Sequence, residues 1–395
     1  MQAAETDALL VVGLLLLGSL LGARTARMLG LPAMTGHLAA GLGVGIAAGP
    51  LVGASTPLLA TVKQGAAVLI LFWIGSKLTL AGPGRVFRSA SRLAAAAAVS
   101  VIFCAIALMV PLPSGFSAAA GTLGWTDVLL VALVLSATSP TVMAVVAHED
   151  GRESGLARTG LDATVLANAG LLVLLLGTLA LAADARNTSF ALLRDLCAGL
   201  GIGAGIGVLV ARAPRSVPSS VLIALAAAAF LVLRNELEHH ETALMGGSFL
   251  AGAAMAHAGR EGNPDRNLAR LPEAVPVLSA VLFAVAGALV DVRSLAVMAV
   301  PAAMIVIVRG VSLYAGSRIA GALAGDASMS RLGFAPLLPQ AGFSLAIVGA
   351  LGPMGEPIVT LVLAVVLINE LATPPLLRLA LRASDRRVAG AEAAA

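Results

Sequence analysis

The stretch that decides the fold runs from Trp125 to Glu149 and reads WTDVLLVALVLSATSPTVMAVVAHE. Its charged or titratable residues, Asp127, His148 and Glu149, stand at the two ends. The apolar body between them is about 20 residues long, the length of one bilayer crossing. Its middle is nonetheless polar: Ser136, Thr138 and Ser139, followed by Pro140. Proline has no amide hydrogen to give a helix, and it disfavours helical backbone at the residue before it. A span interrupted here frees backbone N–H and C=O groups, which lipid tolerates only beside a cavity or other protein. The expectation is a broken crossing helix, with the Thr138 and Ser139 hydroxyls and freed backbone able to hold an ion. An ordinary proline kink is the competing reading.

Composition supports a membrane setting for that span. Of 395 residues, 59% are hydrophobic, 12% are charged and 43 are glycine, and the mean hydropathy is +0.97. Soluble domains carry about 25% charged residues, so neither a water-soluble globule nor a disordered chain fits. The net charge of +4 does not point to nucleic acid, because the basic residues are scattered and aromatics make up only 3%. Cys104 and Cys197 show no disulfide framework and no metal spacing, and read as small core side chains. The first apolar segment follows acidic Glu5 and Asp7, so it reads as a retained helix and not a cleaved signal.

The fold expected is an all-α polytopic membrane protein with thirteen transmembrane helices. The segments are 8–23, 31–49, 62–81, 92–112, 125–148, 158–184, 192–211, 218–234, 241–258, 272–291, 296–322, 332–352 and 356–381. Lys77 and Arg309 fall inside spans. Of the other basic residues, 18 lie on the odd-numbered connections and the carboxyl tail, against 5 on the opposite side. The positive-inside rule then puts the amino terminus outside and the carboxyl terminus in the cytoplasm. Met34–Gly45 (MTGHLAAGLGVG) resembles Leu244–Ala256 (LMGGSFLAGAAMA), and Val68–Leu80 resembles Val281–Val292. Copies separated by seven spans enter the membrane from opposite faces, which is an inverted repeat of the kind found in secondary transporters. The twelfth segment holds Pro339 to Ser344, PQAGFS, at the position matching the break of the fifth. Two broken spans at matching places mark a midplane site that includes Gln340.

Charge inside the membrane narrows the site. Arg309 lies at the centre of the eleventh segment, where an arginine costs about 2.5–3.5 kcal/mol on insertion scales, so a partner or cavity is required. Glu370, in the INEL run of the thirteenth segment, either pairs with Arg309 or bonds to backbone or water nearer the cytoplasmic edge. Asp162 lies near the cytoplasmic start of the sixth segment. Asn168 offers an amide oxygen to an ion or an interhelical hydrogen bond. Lys77 snorkels. Asp127 reads as a solvated helix cap. The Asn235–Glu241 run (NELEHHE) reads as a solvated connection, and the Gly199–Gly207 run as close helix packing.

These residues resemble the monovalent cation:proton antiporter superfamily, in the branch of Kef-type potassium efflux transporters and NapA-type sodium/proton antiporters. The matching stretches are Leu31–Gly45, Ile70–Leu80, Leu135–Glu149, Gly246–Ala256, Leu282–Val292, Ile305–Gly321 and Ile368–Leu381, in order along nearly the whole chain. The resemblance implies inverted five-helix repeats, two broken crossing helices and a homodimer in a bacterial-type inner membrane. It implies a dimerisation panel from 1–91 and 213–292 and a mobile core from 92–190 and 293–384. The segment 191–212 would be a linker helix and 385–395 a short cytoplasmic tail. Thr138, Ser139 and Pro140 fall on the family's unwound motif, and Arg309 on its basic residue. One departure stands out. The family's sixth span carries a carboxylate after Asn, Asp or Gln, and here the match is Asn168–Ala169. The substitute acid would be Asp162 or Glu370. The function implied is exchange of a monovalent cation, Na+ or K+, for protons by alternating access. The alternatives are an anion transporter using Arg309 and a transport-inactive scaffold or sensor. No enzyme chemistry and no cofactor are implied.

Overall fold

A computed structural model describes residues 2–77, 85–109, 124–149, 155–181, 186–212, 240–258, 271–290, 292–340, 344 and 356–394. All regular structure among them is helical. The helices are α1 (Gln2–Met28), α2 (Ala33–Ala47), α3 (Gly49–Lys77), α4 (Arg85–Met109), α5 (Trp125–Ser136) and α6 (Pro140–Glu149). They continue with α7 (Gly155–Leu181), α8 (Arg186–Arg212), α9 (His240–Ala258), α10 (Leu271–Ala288), α11 (Val292–Ala324), α12 (Ala327–Leu332) and α13 (Glu356–Ala394). Among the described residues, six spans are long and apolar enough to cross a membrane, taking α5 and α6 as one. The apolar helices Ala33–Ala47, Cys197–Arg212 and Pro276–Ala288 are shorter. The expected eighth span, 218–234, lies outside the described residues, as do Asn235–His239 of the NELEHHE run.

The chain divides into two compact units. One joins Met1–Ala81 to Asn187–Val290, the other Gly82–Arg186 to Asp291–Ala395. The first unit is built on close backbone approach. Gly22 of α1 faces Gly36 of α2 so tightly that a Cβ on either would overlap the other's carbonyl, and Gly41 meets the Ala284 carbonyl of α10 in the same way. Beside the α1–α2 crossing, buried His37 places Nδ1 2.6 Å from Ser19 Oγ. Gly203 and Gly207 of α8 press on Gly247 and Ala251 of α9, which is the close packing expected of the 199–207 run. Small residues let membrane helices gain dispersion contacts that lipid cannot supply.

In the second unit, α5 is buried from Leu130 to Ser136. An apolar helix buried on all sides is an inner one. It packs with Cys104 and Leu108 of α4, Leu171 and Leu175 of α7, Ile305 of α11 and Ile358 to Val366 of α13.

Several element limits differ from the sequence reading. α3 begins at Gly49, before the expected 62, and carries Pro57 within it. The expected twelfth span opens differently: α11 closes at Gly325 (φ 67), and Asp326 then caps α12 by accepting from the Ser328 and Met329 amides. A 3-10 turn follows at Ala335–Leu337. The carboxyl tail is helical through Ala394, because its AGAEAA sequence is rich in the best helix former. Cys104 is buried as expected, but Cys197 is exposed.

Candidate functional site

The polar centre of the Trp125–Glu149 stretch is a stop and restart, not a kink. α5 ends at Ser136, and Ala137 is extended at ψ 149. Ser139 then caps α6: its Oγ accepts from the Val142 amide at 3.2 Å. Pro140 takes the first helical position, where its missing N–H costs nothing and its fixed φ is already helical. The sequence SATSP thus encodes a helix end followed by a capped helix start.

The backbone groups this break frees are met by side chains from two other helices and from the stretch after the 3-10 turn. Thr138 is held by Asn168 of α7, which accepts from the Thr138 amide at 3.0 Å and from its hydroxyl at 3.1 Å. The Asn168 amide also donates to the Thr138 carbonyl at 2.8 Å. Of the two roles open to Asn168, it fills the interhelical one. The Ser139 amide donates to the Pro339 carbonyl at 2.7 Å, so the chain just past the 3-10 turn, at Pro339–Gln340, meets the first break backbone to backbone. Residues 341–343 and 345–355 lie outside the described set, so of the break expected in the twelfth span only the stretch through Gln340 is described.

Arg309, wholly buried on α11, joins the two. Its Nη2 donates to the carbonyls of Ala137 at 3.0 Å and Leu337 at 2.8 Å, and its Nη1 donates to the carbonyl of Leu338. Those carbonyls end α5 and the 3-10 turn, where aligned peptide dipoles leave partial negative charge. The guanidinium is the complement of both ends. Among the described residues, its Nη hydrogens are met by carbonyl oxygens. Gln340 completes the crossing. Its Nε2 donates to the Leu135 carbonyl at 2.6 Å and to that of Val134 at 3.3 Å. Its Oε1 accepts from Asn369 of α13 at 2.7 Å.

The remaining candidates lie around this crossing. Glu370 is buried and follows Asn369 directly on α13. Asp162, half-buried, is six residues before Asn168 on α7, about 9 Å along the axis at 1.5 Å per residue. Asp127 accepts from the Gly124 amide at 3.0 Å and caps α5, as expected. Asn369 and Thr164, whose carbonyl accepts from the Thr138 hydroxyl at 3.2 Å, were not singled out from sequence. The one signal for Asn369 is a polar residue inside an apolar span, overshadowed there by the charge of Glu370.

Such an arrangement can do two things chemically. It stabilises interrupted helices, and it gathers hydroxyl and carbonyl oxygens near Asn369, the residue that precedes buried Glu370. No curated protein matches the chain. Among solved structures, the sodium proton antiporter MjNhaP1 from Methanocaldococcus jannaschii is similar in fold. It has a TM-score of 0.64 at 14% identity, over 94% of this chain and 99% of that one. The family described as sodium/hydrogen exchanger, transmembrane, matches residues 12–383. The chain is therefore a multi-pass membrane protein that belongs to the sodium/hydrogen exchanger family, within the monovalent cation:proton antiporter superfamily.

Proposed function

We propose that this protein exchanges a monovalent cation, Na+ in the first instance and K+ as the second candidate, for protons by alternating access. The observation that carries the reading is the crossing in the second unit. Two interrupted stretches meet at Ser139 and Pro339, and one buried arginine satisfies the carbonyl ends of both. Family membership over nearly the whole chain supports the same activity. In this reading thirteen spans form two inverted five-helix repeats, each holding one broken helix. The second unit is the mobile core, the first is the panel of a homodimer, and the site opens alternately to the two sides of a bacterial-type inner membrane.

Competition between cation and proton needs a group that binds either one, and Ala169 removes the usual carboxylate. Glu370 is the better substitute. It is buried, and a buried acid in a membrane helix is retained for function. Asp162 is more open and has Arg158 one turn before it on the same helix. The Thr138 and Ser139 hydroxyls and the carbonyls of the break would complete the cation's shell. An anion held by Arg309 draws less support, because both of its Nη atoms already donate to carbonyl oxygens.

The test is a cation pulse on proteoliposomes preloaded with a pH dye. Na+ should drive proton release in the parent, Glu370→Gln should abolish it, and Asp162→Asn should leave it within about twofold, as for a residue away from the site. A parent silent to Na+, K+ and Li+ that gains flux on Ala169→Asp would establish the scaffold reading instead.

A further inference from the structure

We propose that Asn369 is a positioning residue for this exchange, acting through Gln340 to fix which end of the Gln340 amide faces the first break. The proposal rests on the exchanger reading above. A glutamine amide has a donor end and an acceptor end of nearly equal shape. At Gln340 the choice matters, because the two groups opposite it, the Leu135 and Val134 carbonyls, are both acceptors. Only Nε2 can face them. The 2.7 Å hydrogen bond from Asn369 Nδ2 to Gln340 Oε1 enforces that orientation. With the amide reversed, Oε1 would stand against two carbonyl oxygens with no hydrogen between them.

Water cannot easily substitute, since Gln340 is wholly buried and Asn369 is 1% exposed. Asn369 also sits where α13 is loosened. The Thr373 hydroxyl donates to the Asn369 carbonyl at 2.6 Å. Pro374 and Pro375 follow within the helix, and neither has an amide hydrogen for the carbonyls four residues back, at Glu370 and Leu371. A shift of α13 at this point is passed through two amides to the end of α5. The clamp also lies one residue from Glu370, so a change in that acid's protonation has a short route to the break.

The experiment compares Asn369→Ala, Asn369→Asp, Gln340→Ala and the double alanine variant in the full chain. Deuterium uptake is measured across residues 134–143 in detergent, and the apparent KM for Na+ and the maximal rate in proteoliposomes. Asn369→Ala should speed exchange at the break by about tenfold and raise KM more than it lowers the maximal rate. The double variant should be no worse than Gln340→Ala, as for two members of one interaction. Asn369→Asp, although nearly isosteric, should be worse than Asn369→Ala at neutral pH. Relative to the parent it should recover in acid, where a protonated carboxyl donates again. Unchanged deuterium uptake in Asn369→Ala, or an aspartate milder than alanine at every pH, would overturn the proposal. A parent without cation flux would overturn the exchanger reading, and deuterium uptake would then decide the Asn369–Gln340 clamp by itself.

Discussion

At the scale of single residues, Arg309 shows how main-chain carbonyls make a buried charge tolerable. Three carbonyl oxygens surround it, and each stands at the end of a helical segment. The three hydrogen bonds offset part of the cost of burying the guanidinium and part of the cost of leaving those carbonyls bare. Removal of either side exposes the other. Arg309→Met should cost ~3 kcal/mol or more of stability, from carbonyls left unmet at about 1–3 kcal/mol each, read as a lower melting temperature in detergent. Arg309→Lys should recover only part of the loss, because a compact ammonium cannot fork between two segments as a planar guanidinium does.

At the scale of elements, the stop and restart at SATSP depends on local capping. Ser139→Ala removes the acceptor for the Val142 amide and should destabilise the start of α6 by about 1 kcal/mol. Ser139→Thr should be near neutral. Circular dichroism and thermal melting of the purified protein distinguish these outcomes. In the other unit, Gly41→Leu should loosen the packing of α2 on α10, because even a Cβ at Gly41 overlaps the Ala284 backbone. The expected loss is about 1–3 kcal/mol, visible in the same melts.

The first break was legible in the sequence because its cause is local: Pro140, with a capping serine before it. Arg309 was legible as an anomaly, though its partners were not. The Gln340 amide bonds carbonyls 205 and 206 residues away, and main-chain acceptors carry no residue type to read. Asn168 was legible only as two alternatives, since an amide serves an ion or a backbone equally well. The short α12 and its 3-10 turn were hidden inside an apolar run whose hydropathy resembles that of a span. Cys197 was misplaced because an apolar neighbourhood in a membrane helix does not say whether a face meets protein or lipid.

At the scale of the whole molecule, the asymmetry of basic residues, 18 against 5, predicts that the carboxyl end faces the cytoplasm. Arg386→Cys, at an exposed position of the carboxyl end, in a chain with Cys104 and Cys197 replaced by serine, should resist a membrane-impermeant maleimide in intact cells and react once the membrane is opened. Reaction in intact cells would reverse the assigned topology.

The hydrogen bonds at the crossing carry a thermodynamic consequence. Several carbonyl oxygens there, those of Ala137, Thr138, Leu337 and Leu338, already accept from tethered donors. On the proposed exchange, an entering ion would compete with those donors for the same oxygens. Its affinity would then be a difference between two satisfied arrangements, and modest for that reason. Weak grip is an advantage in a carrier, whose turnover requires that cargo leave as readily as it arrives.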